Sequence, residues 1–204
     1  MNNESHKKKE AGFSLIELMI VSSILVFVIG VMGGVVAAVQ RSYSVQHFRT
    51  DSLNDATAAT DMMARLIRMA SNNPTRIAGL RPIDPGTADA SGVYRTIRIR
   101  SDWHGSTMSA YPDGDTNDSY EDVSFFVDPT TNKLMKQEPS DASPVEFLED
   151  ALSLQFDYYD TNNVAIPDPV TNNGDICRVK ITVIMLPPYS TPIIFQTSAF
   201  VRVR

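Results

Sequence analysis

Cysteine is nearly absent from this sequence. Cys177 is the only one in 204 residues, so no intramolecular disulfide can form and no cysteine-based zinc set is available. Its place on the apolar face of a predicted strand points to a buried structural thiol. Histidine is scarce as well. His6, His47 and His104 lie in unlike segments, which leaves no histidine ligand set for zinc. Asp102, His104 and Ser106 sit together in sequence, but neighbours in sequence rarely supply triad geometry, and no nucleophile elbow occurs. No glycine-rich phosphate loop is present either. The expectation is a protein that is not an enzyme. Basic residues are outnumbered, 18 Lys and Arg against 24 Asp and Glu, for a net charge of −6. An acidic body lacks the basic face that phosphate binding needs, so nucleic acid is not expected as a partner.

The sequence has one long apolar run. Among the 27 residues from Phe13 to Val39 the only ionisable side chain is Glu17. As a helix this run would measure about 40 Å, more than the ~30 Å hydrocarbon core of a bilayer. Lys7, Lys8 and Lys9 precede it, which predicts that the N-terminus stays cytoplasmic and the body is exported. An ordinary secretory signal fits less well. The apolar run is too long, no small-x-small site follows it, and Glu17 lies inside it. A carboxylate in an apolar helix is costly and normally has a partner and a function. Four residues after a new N-terminus at Phe13, it could neutralise the α-amine of its own or a neighbouring chain. The bland alternative is a polar residue tolerated near the bilayer edge.

Lys-Lys-Lys-Glu-Ala-Gly12-Phe13-Ser-Leu-Ile-Glu17-Leu resembles the processing site of type IV prepilins and type II secretion pseudopilins. The resemblance implies cleavage between Gly12 and Phe13 by a membrane prepilin peptidase and N-methylation of Phe13. It also implies that Glu17 guides docking against the terminal amine of a neighbouring subunit. The partners it implies are other pilins or pseudopilins, the peptidase/methyltransferase and the membrane. Many major pilins carry a proline about two-thirds along this helix. Here Gly30, Gly33 and Gly34 occupy that region, a departure that points away from a major subunit.

Beyond Val39 the helix is expected to continue as an amphipathic segment. Ala56, Ala59, Met63, Leu66 and Ala70 recur at helical spacing, with Met62 and Ile67 widening the stripe. Asn72-Asn73-Pro74 stops it. Strands follow. Ile97 and Ile99 alternate with Arg98 and Arg100, while Asp122–Val127 and Lys133–Gln137 flank a turn and predict a hairpin. Leu152, Leu154, Phe156 and Tyr158 mark one strand face. Cys177, Val179, Ile181, Val183 and Met185 mark another, and Ile193, Phe195, Ala199, Val201 and Val203 a last one.

The predicted class is α+β: one long helix packed on an antiparallel sheet, a stalk bearing a β head. Four segments follow from this: residues 1–12 a cleaved leader, 13–39 a transmembrane and filament-core helix, 40–72 its amphipathic continuation, and 73–204 the head. Arg65–Ala70, closing the helix, and Glu121–Phe126 and Leu154–Asp160 in the head resemble the J-type minor pseudopilins and the W-type minor pilins. That resemblance implies a subunit that helps initiate or cap a pilus or pseudopilus. The alternative is an adhesin or substrate-binding module at the tip. The expected location is the inner (cytoplasmic) membrane, with the head in the periplasm or at the cell surface.

One loop in the head invites metal chemistry. Tyr111-Pro-Asp113-Gly-Asp115-Thr-Asn117-Asp118-Ser-Tyr-Glu121 places oxygen ligands at alternate positions, as Ca²⁺ requires. Asp113, Asp115, Asn117 and Glu121 are the candidate ligands and calcium the candidate cofactor. The match to a helix-loop-helix calcium loop is partial, since Asp118 stands where glycine is expected, and a solvated acidic loop is the favoured reading. Trp103, with Tyr111 and Tyr120 nearby, reads as either a partner contact or core packing.

Overall fold

The computed structural model describes residues 14–70, 72–105, 111–188 and 191–201. Helix α1 (Leu15–Met69) is followed by strands alone, apart from one short 3₁₀ turn. The chain divides into two compact units, Met1–Gln46 and His47–Arg204.

In the first unit, the described residues from Leu15 onward are helical. Its most apolar 18-residue stretch has a mean hydropathy of 2.6, and none of that stretch is buried. An α-helix that is hydrophobic all round needs an apolar environment on every side, and the described residues supply none here. By length and composition this helix can cross a bilayer. Gly30, Gly33 and Gly34 leave α1 unbroken, and a Cβ added at any of them would meet nothing within 4 Å.

In the second unit, α1 turns amphipathic. Ala56, Ala59, Met63, Leu66, Ile67 and Ala70 are buried in one apolar cluster, with Met62 packed against it. Met63 and Ile67 are fully buried there, beside the small side chains of Ala56, Ala59 and Ala70. The stripe expected from the 3–4 spacing is therefore the face that packs.

The β-rich part forms two antiparallel sheets. The first has the order β1 (Ile83–Asp84), β2 (Thr96–Arg100), β3 (Asp122–Asp128), β4 (Lys133–Gln137), β5 (Val145–Leu148). In β2, Ile97 and Ile99 point into the core between the more exposed Arg98 and Arg100, as alternation predicts. The β3–β4 hairpin closes through Asp128. Its carboxylate accepts from the Thr130 amide and the Thr131 hydroxyl, both at 2.8 Å, and Asn132 takes a positive φ of 53°. This is the local side-chain-to-backbone bonding that suits Asp and Asn to turns. The short edge strands β1 and β5 carry no such pattern in sequence and are additions to the expected set.

The second sheet has the order β6 (Ala151–Tyr159), β7 (Arg178–Met185), β8 (Ile193–Phe200). Here two expectations are corrected. Leu152 is 45% exposed, whereas Ala151 is fully buried. The register shifts between Ala151 and Ser153, and the bulge takes Leu152 out of the inward alternation that Leu154, Phe156 and Tyr158 keep. Cys177 is half-buried and precedes β7 instead of lying on its inward face. Val203 lies outside the described residues.

The sheets meet at β6. The Phe156 amide donates to the Tyr94 carbonyl at 2.9 Å, and the Tyr94 and Tyr158 rings pack edge to face with centroids 5.1 Å apart. Phe125, Leu134, Phe156, Ile181 and Val183 thereby join one core. Strand β8 is a free edge among the described residues.

Candidate functional site

Two places hold the residues singled out by sequence, one in each unit. In the first, Ser14 precedes α1 and Glu17 lies in its first turn. The Ser14 amide donates to Glu17 Oε2 at 3.0 Å, and the Leu18 amide donates to the Ser14 carbonyl at 3.2 Å. Glu17 thus reaches back over the helix end, as the glutamate of a capping box does. Its negative charge sits where the helix dipole favours an anion. The Ser-x-x-Glu spacing of Ser14–Glu17 carries this cap in the sequence. Gly12 and Phe13, the expected cleavage and methylation positions, lie outside the described residues.

The second place is the loop between β2 and β3. Asp113, Asp115 and Asp118 each present a carboxylate oxygen, and the three oxygens lie within 4.8 Å of one another. Asp113 and Asp115 are exposed and Asp118 is half-buried. Short-range bonds shape the turn. The Asp115 amide donates to Asp113 Oδ1 at 3.4 Å and the Asn117 amide to Asp115 Oδ1 at 2.9 Å, with Gly114 between at φ 96°. At Gly105, an added Cβ would lie 2.9 Å from the Tyr111 carbonyl and 3.6 Å from Asp113. Only glycine lets the strand exit come this close to the loop.

Of the four expected ligands, the structure gathers Asp113 and Asp115 and turns Glu121 elsewhere. Asn117 contributes a backbone amide. Glu121 is fully buried, and its Oε1 accepts from the amides of Trp103 and His104 at 2.7 and 3.0 Å. Asp118 completes the trio. Behind the loop lies Asp102, also fully buried, which accepts from the Thr75 hydroxyl. His104 sets Nδ1 3.1 Å from the Gly105 carbonyl and Nε2 2.9 Å from the Ser119 carbonyl, and Nδ1 is 3.8 Å from Asp118 Oδ2. Ser106 lies outside the described residues. Nothing in the sequence signalled Asp102 as a neighbour, because the fold brings it in from the end of β2.

Burial governs the charges here. It pushes the Asp118 carboxyl above the usual carboxylate range, and Asp113, Asp115 and Asp102 add to the shift while His104 opposes it. Glu121 is likewise raised by burial, against the two amides that favour its anion. The sign for stability follows. The folded protein holds the Glu121 proton at pH values where the unfolded chain, titrating near 4.5, has released it. Glu121 therefore makes stability fall as pH rises from 4.5 through its raised folded value. The variant Glu121→Gln should flatten that part of the pH–stability curve while keeping an acceptor for the two amides. An unchanged slope in thermal melts would show that another group is responsible.

Trp103 is half-buried and packs edge-on against His104, with ring centroids 4.2 Å apart. With Tyr120, Met62, Leu66 and Met69 it lines a groove of about 920 Å³. It is thus partly a packing residue and partly a surface one.

Residues 7–33 match the family model of the prokaryotic N-terminal methylation motif. The match covers the start of the chain and leaves the β-rich unit outside it. No curated protein matches the chain.

Proposed function

We propose that this chain, a type IV prepilin-like protein, is a minor pilin or pseudopilin that helps initiate or cap a filament. The motif implies processing by a prepilin peptidase and assembly with other pilins. The observation that carries the reading is the anchor half of α1. It joins a methylation motif to an apolar helix that the described residues leave bare on every side. Such a surface can be stored in a bilayer and later buried against like helices in a filament core. Glu17 supplies the one charge in that segment and aims it at the end where a processed chain carries its amine.

A minor role follows from two features. The glycines that replace the expected helix proline set this anchor apart from that of a major subunit, and the unit from His47 to Arg204 is large and acidic. Cleavage after Gly12 leaves Phe13 as the terminal residue, to be methylated.

The test has two parts. Mass spectrometry of the chain from membranes should find an N-terminus at methylated Phe13. Deleting the gene should lower filament number without changing the composition of the filaments that remain. A chain retaining residues 1–12 within filaments would reject the processing step. Normal filament number on deletion would reject the assembly role.

A further inference from the structure

We infer that Asp113, Asp115 and Asp118 form a site for a hard divalent cation, with Ca²⁺ as the candidate. The argument is independent of the filament reading. Ca²⁺ binds oxygens at about 2.3–2.6 Å, so ligands on opposite sides of the ion stand roughly 4.6–5.2 Å apart. The three carboxylate oxygens, all within 4.8 Å of one another, fit around one such ion.

A cluster of exposed acids alone would not establish this. The second observation is the wall behind it. Asp102 is fully buried, and its Oδ1 has no hydrogen-bond partner among the described residues. Its other oxygen bonds Thr75, whose side chain lies 3.8 Å from where a Cβ on Gly114 would stand. Gly114 is the residue between Asp113 and Asp115, so the Asp102 carboxylate backs directly onto the ligand turn. Glu121 Oε2 is a second fully buried carboxylate oxygen without a partner among the described residues, and Asp118 Oδ2 a third buried oxygen.

Leaving a buried charged oxygen unpaired is expensive. Five carboxylates therefore converge on this loop. His104 Nδ1 lies 3.8 Å from Asp118 Oδ2. A divalent ion held by the outer three would offset the repulsion among all five. Glu121 lies outside this trio, its Oε1 accepting from the Trp103 and His104 amides.

Terbium, which takes calcium sites and luminesces when excited through nearby aromatics, is the probe. Trp103 adjoins His104 in the wall, and Tyr111 and Tyr120 flank the loop. The full chain in detergent micelles, stripped of metal, should show saturable terbium luminescence that Ca²⁺ displaces. Asp115→Asn and Asp118→Asn should each weaken both ions by about tenfold or more. Asp115 is exposed, so its variant reports on binding without a folding defect, and an unchanged circular dichroism spectrum verifies that. Luminescence that never saturates, or equal affinity in the parent and both variants, would overturn the site.

Discussion

Glu17→Val should still be cleaved and still enter the membrane, yet its recovery in sheared filaments should drop by about tenfold or more, the equivalent of losing at least ~1.4 kcal/mol per subunit. The substitution removes a charge from an otherwise apolar segment, so anchoring can only improve. It also removes the acceptor for the Ser14 amide and the one anion near the terminus. An anion paired with an amine in a water-poor filament core contributes far more than a solvated pair, and truncating such a pair costs about 2–5 kcal/mol. The variant Glu17→Gln separates the two roles, since it can still accept from Ser14 but carries no charge. Glutamine that fails like valine assigns the effect to charge. Glutamine that assembles normally assigns it to the cap and refutes pairing with an amine. Immunoblots of membrane and filament fractions decide between them.

The largest effect on stability is expected at Phe156. Its side chain is 1% exposed, and it lies on the strand whose backbone bonds Tyr94 and so ties the two sheets together. Phe156→Ala deletes a ring from the centre of the shared core and should cost about 3–5 kcal/mol. Leu152→Ala, four residues away on the same strand, should change stability by no more than about 0.5 kcal/mol, because the bulge has already turned that leucine to the surface. Denaturant melts of the full chain in micelles would show the contrast. Equal losses at the two positions would mean that the alternation runs unbroken through Ala151.

That pair also shows how far the residues alone could lead. Periodicity found the helix face and most strand faces, because burial of every second or every third-to-fourth side chain is written directly into the order of residue types. It failed at Leu152, where one extra residue in a ladder inverts the pattern. It also missed β1 and β5, which at two and four residues are too short for alternation to register. Cys177 was placed on an inward face by extending the β7 pattern one step too far. At the acidic loop, the turn chemistry of Asp113–Asn117 was legible, and two of the expected ligands do converge. Asp102 was not legible, since its place beside the loop depends on Thr75 and the strand register around it. Glu121 carried the right functional group, but its burial decides that it serves backbone amides instead of an ion.

The three anchor glycines have an energetic consequence of their own. Each costs a helix about 0.8–1.0 kcal/mol relative to alanine, so Gly30, Gly33 and Gly34 together weaken the stretch 30–34 of α1 by roughly 2–3 kcal/mol. Among the described residues nothing stands close enough to them to recover that loss. The stretch about two-thirds along the anchor is thus the most readily opened part of its interior, the place where the rod can yield without breaking at either end.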